Sequence, residues 1–163
     1  MEEIADEKDF NHPCQIEQEY LIQKEAIKMK KFIQWHNDTF GEKVVKALEK
    51  NNFKAYYVSD RAAATEKVFS LIPDGATVGV GGSWTLKELG IPEQLEKDGH
   101  TVYDHNKAGL TMEESMALRR KELLCDVFIS STNAVTLDGQ LVNTDGSGNR
   151  VAAMSFGPKK VIV

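Results

Sequence analysis

Apolar positions in the first part of the chain recur at helical spacing. Ile16, Tyr20, Ile27, Phe32 and Trp35 fall on roughly one stripe, while Lys24, Lys28, Lys30 and Lys31 keep much of the remaining surface polar. That pattern predicts an amphipathic helix over residues 15–35. A second helix is expected in "DTFGEKVVKALEKNN", with Asp38 or Thr39 as its cap, Val44, Val45 and Leu48 as its stripe, and Asn51 and Asn52 ending it. Residues 1–14, opening with the acidic "MEEIADEKDF", lack a sustained apolar period and read as a flexible lead-in.

From residue 53 the period changes. "FKAYYVS" is rich in aromatics and reads as a strand, "DRAAATEKVFSLI" as a helix capped by Asp60, and Pro73, Asp74 and Gly75 as a turn. "ATVGVGG" is a short apolar strand running into glycines, followed by a helix from Ser83 and a restart at Pro92. "TVYD" and "CDVFIS" are further strands around "TMEESMALRRKELL", a helix with a Thr cap, acids in its first turn and bases later. Alternating strands and helices imply an α/β domain with a mainly parallel sheet flanked by helices. Near the C-terminus, "NAVTLDGQLVN" places two alternating runs around Asp138 and Gly139, the signature of an antiparallel hairpin. A brief helix over "NRVAAMSF" and a strand in "KKVIV" complete the reading.

Bulk properties narrow the classes without choosing among them. A chain of 163 residues fits one domain that buries roughly 70% of its unfolded surface. A formal charge of -5 argues against general nucleic-acid binding, which needs a basic stripe to displace counterions. Cys14 and Cys125 lie far apart without a CxxC, and no signal-peptide core precedes them, which points to a reducing, cytoplasmic setting. Two cysteines do not suffice for an iron-sulfur cluster, so such a centre would sit on a partner. No metal site is expected.

Candidate chemistry gathers in two glycine-containing loops. In "VGVGGSWTLKEL" a buried strand, then Gly81, Gly82 and Ser83, then a helix start create a place where an anion meets unpaired amides. The spacing is neither a Walker loop nor GxGxxG, and a plain turn with Ser83 as N-cap remains open. In "VTLDGQLVNTDGSGNR", Asn143 and Asn149 offer amide groups, Arg150 a fork for carboxylate or phosphate, and Asp145 a base. A cluster of Asp and Asn side chains bonding their own turns is the alternative. Both loops are expected at the carboxyl ends of strands, where ligands of parallel sheets collect. His12, His36, His100 and His105 show no metal-like spacing and read as surface or satisfied histidines, Cys125 as a buried hydrophobe, and Glu113 and Glu114 as first-turn acids.

"GVGGSWTLKELGI" followed by "RRKELLCDVFISSTNAVTLDGQLVNTDGSGNRVAAMSFGPKKVIV" resembles the LUD domain, the lactate-utilisation family formerly described as a domain of unknown function. The resemblance covers residues 15–163 and implies a single domain with a NagB/RpiA/CoA-transferase-like sheet, in which residues 81–83 match a phosphate-binding turn. It also implies continuation past Val163 in other members, so a C-terminally shortened domain is expected here. The resemblance also implies a subunit that works with iron-sulfur partners in lactate oxidation, with electrons carried elsewhere, and the two loops add the expectation of a small anionic metabolite bound between them. Two other readings stand beside this one. One is a non-catalytic interaction subunit or homo-oligomer using the helix over residues 15–35. The other is an independent transferase or isomerase acting on a phosphorylated or CoA-linked substrate.

Overall fold

The computed structural model describes residues 13–163, so nearly all of the expected lead-in lies outside the described residues. The chain divides into two compact units, Met1–Gly41 and Glu42–Val163. The described part of the first is helical, the opening stretch of α1 (Pro13–Lys50). One helix thus replaces the two expected, because the supposed capping groups serve inside it. Thr39 Oγ1 donates to the Trp35 carbonyl one turn back at 2.8 Å, and Gln34 Nε2 donates to Asp38 Oδ1 at 2.7 Å. A hydroxyl bonded four residues back leaves the helical ladder in place rather than ending it. In this unit Tyr20, Leu21, Ile22, Ile27, Met29, Phe32, Ile33 and Trp35 are all exposed.

The second unit holds α2 (Arg61–Ser70), β1 (Thr77–Val80), α3 (Trp84–Glu88), α4 (Ile91–Lys97), β2 (Thr101–Asp104), α5 (Met112–Glu122) and β3 (Val127–Ile129). The hairpin strands β4 (Ala134–Val135) and β5 (Leu141–Val142), then α6 (Asn149–Ser155) and β6 (Lys160–Ile162), follow. Local chemistry sets the helix starts. Asp60 accepts from the Ala63 amide and Ser83 from the Leu86 amide, while Thr111 and Glu114 form a reciprocal capping box. The expected strand at residues 53–59 does not form. Phe53 closes the end of α1 by donating its amide to the Leu48 carbonyl, and Lys67 Nζ lies 4.2 Å from the centroid of the Tyr56 ring. Aromatic content favours a strand without making one: Phe53, Tyr56 and Tyr57 are exposed here, and the Tyr56 ring meets Lys67 of α2 instead of a ladder partner.

Four parallel strands form the main sheet in the order β2-β1-β3-β6, and β4 pairs antiparallel with β5. This is the α/β architecture that the strand-helix rhythm predicts. Side chains alternate between two faces. On one, Val78, Val80, Val127 and Ile129 pack with Ile72, Leu86, Ile91 and Leu95 from the α2, α3 and α4 side. On the other, Phe128 packs with Cys125 and with Ala153 of α6. Burying side chains such as Leu95 and Ile91 completely is worth about 1.5–3 kcal/mol each, before the cost of ordering them. The hairpin tip is fastened to the end of α1: Asn51 Nδ2 donates to the carbonyls of Asp138 and Gly139, both at 2.9 Å.

Candidate functional site

The helix after β1 covers one face of the sheet and α6, reached from β3 through the hairpin, covers the other. Adjacent strands whose connections leave to opposite faces open a crevice beyond their carboxyl ends. Gly81 follows β1 at that carboxyl edge, donating its amide to the Ile129 carbonyl at 2.8 Å. A side chain there would collide with Ser130: a Cβ built on Gly81 meets Ser130 Oγ below contact distance, Ser130 Cβ at 2.8 Å and the Phe128 ring at 3.0 Å. The glycine is therefore required by close packing. Gly82 is exposed, and Ser83 is buried with its hydroxyl committed to the Leu86 amide. The first amides of α3 otherwise have no partner within that helix.

The loop over residues 143–150 reaches the same rim. Arg150 Nη1 donates to the Ser131 carbonyl at 3.0 Å, one residue from the serine packed on Gly81. The rest of its guanidinium is committed inside the chain. Nε donates to Asp145 Oδ1 at 2.7 Å, and Nη2 donates to Asn133 Oδ1 at 2.6 Å and to the Thr144 carbonyl at 2.9 Å. Only one Nη1 hydrogen is left over. Asp145 also caps α6, its Oδ2 accepting from the Val151 amide at 2.8 Å. Burial raises the Asp145 carboxyl, but the Val151 amide and Arg150 outweigh it and hold it below the ordinary Asp value. The two residues form a neutralised, largely buried pair, with side chains 8% and 12% exposed. Asn149 opens α6, and Asn143 Oδ1 is buried with no partner.

Two residues of α5 have unmet valences that their sequence did not advertise. Arg119 Nη1 donates to Ser147 Oγ at 2.9 Å, tying α5 to the same loop, but its Nε is buried without a partner. Among the described residues Arg119 forms no ion pair. Glu122 is 1% exposed and its Oε2 is likewise unpartnered. Its Oε1 contacts His105 Nδ1 at 2.6 Å and accepts the His105 main-chain amide at 3.3 Å. Nearby, Asp104 Oδ1 accepts from the Asn106 amide at 2.8 Å, which makes Asp104 a buried carboxylate at the end of β2. The spacing of His105 carried no signal, because its partner lies a loop and a helix away.

Polar groups elsewhere are better satisfied. At the amino ends of the strands, Asp126 accepts from Thr77 N, Thr77 Oγ1 and Lys159 Nζ. The Lys159 hydrogen bond, then those from Thr77, depress its carboxyl far below the ordinary value. Burial raises the Cys125 thiol, making it a weak nucleophile. Among the described residues no group of three metal-ligating side chains occurs, and no helix is long and apolar enough to cross a membrane.

Fold and rim define a parallel-sheet α/β domain with buried polar side chains gathered at the carboxyl ends of its strands. The pattern of the LUD domain matches residues 41–163, and the chain belongs to that family. This places it in general among lactate-utilisation-like proteins. Comparison with curated proteins and with solved structures finds no match.

Proposed function

We propose that the carboxyl rim binds a small anionic metabolite, and that the protein works in the cytoplasm with iron-sulfur partner subunits in lactate oxidation. The observation that carries this reading is the meeting of the two loops: Gly81 packs on Ser130 while Arg150 holds the carbonyl of Ser131. Arg119 supplies the attracting charge, since Arg150 is neutralised by Asp145 and a partly buried guanidinium without a carboxylate favours an anionic guest. Arg150 and Asp145 shape the wall, Gly81, Gly82 and Ser83 form the floor, and Asn143 and Asn149 line the loop side.

Thermal melting of the full chain with lactate, pyruvate, sugar phosphates, CoA or folates tests the reading. A ligand at 100 times its Kd adds about 2.7 kcal/mol and raises Tm visibly. Arg119→Met should abolish that rise. A set of small anions that leaves Tm unchanged overturns the proposal. The exposed apolar side chains between Tyr20 and Trp35 favour a second reading, an interaction subunit or homo-oligomer joined through α1. Recovery of an iron-sulfur protein on the tagged full chain, lost when Phe32 and Trp35 become Ser, supports it; failure of both capture and self-association rejects it.

A further inference from the structure

A histidine and a serine follow the two strands that flank β1. Val80 is paired with Asp104 of β2 and with Ile129 of β3, and the residues that come next are His105, Gly81 and Ser130, of which Gly81 and Ser130 meet on one face while His105 turns its amide to Glu122 of α5. That face is the one α5 covers, since the backbone of Glu122 lies over Gly79, two residues before Gly81. Ser130 already occupies the space above Gly81 that a side chain would fill. His105 and Ser130 are both buried, 9% and 5% exposed.

The hydrogen bonds of His105 determine what its ring offers. Glu122 Oε1 receives the His105 main-chain amide, so it is an acceptor, and Nδ1 facing the same oxygen at 2.6 Å carries the ring proton. In the neutral ring Nε2 is then a lone-pair acceptor. Among the described residues Nε2 has no partner, and it is not one of the fully enclosed unpartnered atoms. Ser115 Oγ, donating to the His105 carbonyl at 3.0 Å, fixes the same residue from α5. A histidine so oriented by a carboxylate, at the carboxyl ends of parallel strands, has the geometry of a proton-accepting group.

We infer that His105 Nε2 is the atom of the rim site that accepts the hydrogen of a ligand hydroxyl, with Glu122 as its positioning residue. The anionic end of the ligand is drawn by Arg119 and its hydroxyl by His105. This rests on the anion-binding reading above and adds a requirement that the reading does not contain, discrimination between acids with and without a hydroxyl.

Calorimetry of the full chain with L-lactate and with propionate, the same acid lacking the hydroxyl, separates the two ideas. The inference expects lactate to bind about tenfold more tightly, the worth of one good hydrogen bond. His105→Phe should bring lactate down to the affinity of propionate. In nitrogen NMR of the unsubstituted chain, His105 should show the Nδ1–H tautomer, with Nε2 shifting on addition of lactate and not of propionate. Glu122→Gln should relax that tautomer preference and weaken lactate while leaving propionate unchanged, a split that a merely structural role would not produce. Equal binding of the two acids overturns this inference and leaves anion binding standing. Failure of both acids to bind overturns the inference too, with the melting survey then deciding the broader reading.

Discussion

The pair of Asp145 with Arg150 and the pair of Glu122 with His105 are both buried, but they differ in what remains after pairing. Around the first, both carboxylate oxygens are engaged and the guanidinium reaches four acceptors. Around the second, one carboxylate oxygen has no partner and one ring nitrogen is left over. A buried polar cluster with nearly every valence met holds a loop in place, whereas one with an enclosed acceptor left over stores a cost that a ligand can relieve. Arginine in a glycine-rich loop is the more conspicuous chemistry, yet the less conspicuous histidine is the freer group. Residue type therefore ranked these candidates in the wrong order for availability.

The largest effect that sharpens the contrast is expected at Arg150. Arg150→Met leaves Asp145 buried without its cation and removes the tie to the Ser131 carbonyl, which should lower the unfolding free energy by about 3–5 kcal/mol in urea titration. A loss under 1 kcal/mol would show that Arg150 is not the loop's hub. Next is Gly81→Ala, which forces Ser130 and Phe128 aside and should cost about 1–3 kcal/mol. Combining it with Ser130→Gly should restore part of that loss, and strict additivity in the cycle would refute the contact.

The smallest effect is expected at the amino rim. Asp126 has a folded pKa depressed below its ordinary value of 3.8, so its contribution to stability is present above that value and is lost as pH falls through the folded pKa. The stability gap between the unsubstituted chain and Asp126→Asn should shrink below pH 3.8. Because Lys159 is 82% exposed, 1 M salt should also narrow it. A gap unchanged from pH 7 to pH 2 would remove the pair from the account.

Much of the fold was legible because its signals are local. Asp60, Ser83 and Thr111 cap helices by bonding amides three residues on, a relation that sequence spacing displays directly. Alternation and apolar runs likewise announced the four parallel strands and the hairpin around Asp138 and Gly139. The misreadings were competitions that spacing does not settle. Thr39 is a good cap by type, but its hydroxyl bonds back into α1. The aromatic stretch at residues 53–59 has the composition of a strand, but its aromatic side chains stay exposed and Tyr56 meets Lys67 of α2.

By itself the amino-acid sequence determined the four sheet strands, the helices capped by Asp60, Ser83 and Thr111, and the glycine turn at the end of β1, since each depends on residues within a turn or two. Tertiary structure alone decided which polar groups remain available. Whether Arg150, Arg119 or His105 has a free valence depends on Asp145, Ser147 or Glu122 being packed against it. Hydrogen-bond valence is used up in space, and no spacing along the chain records that.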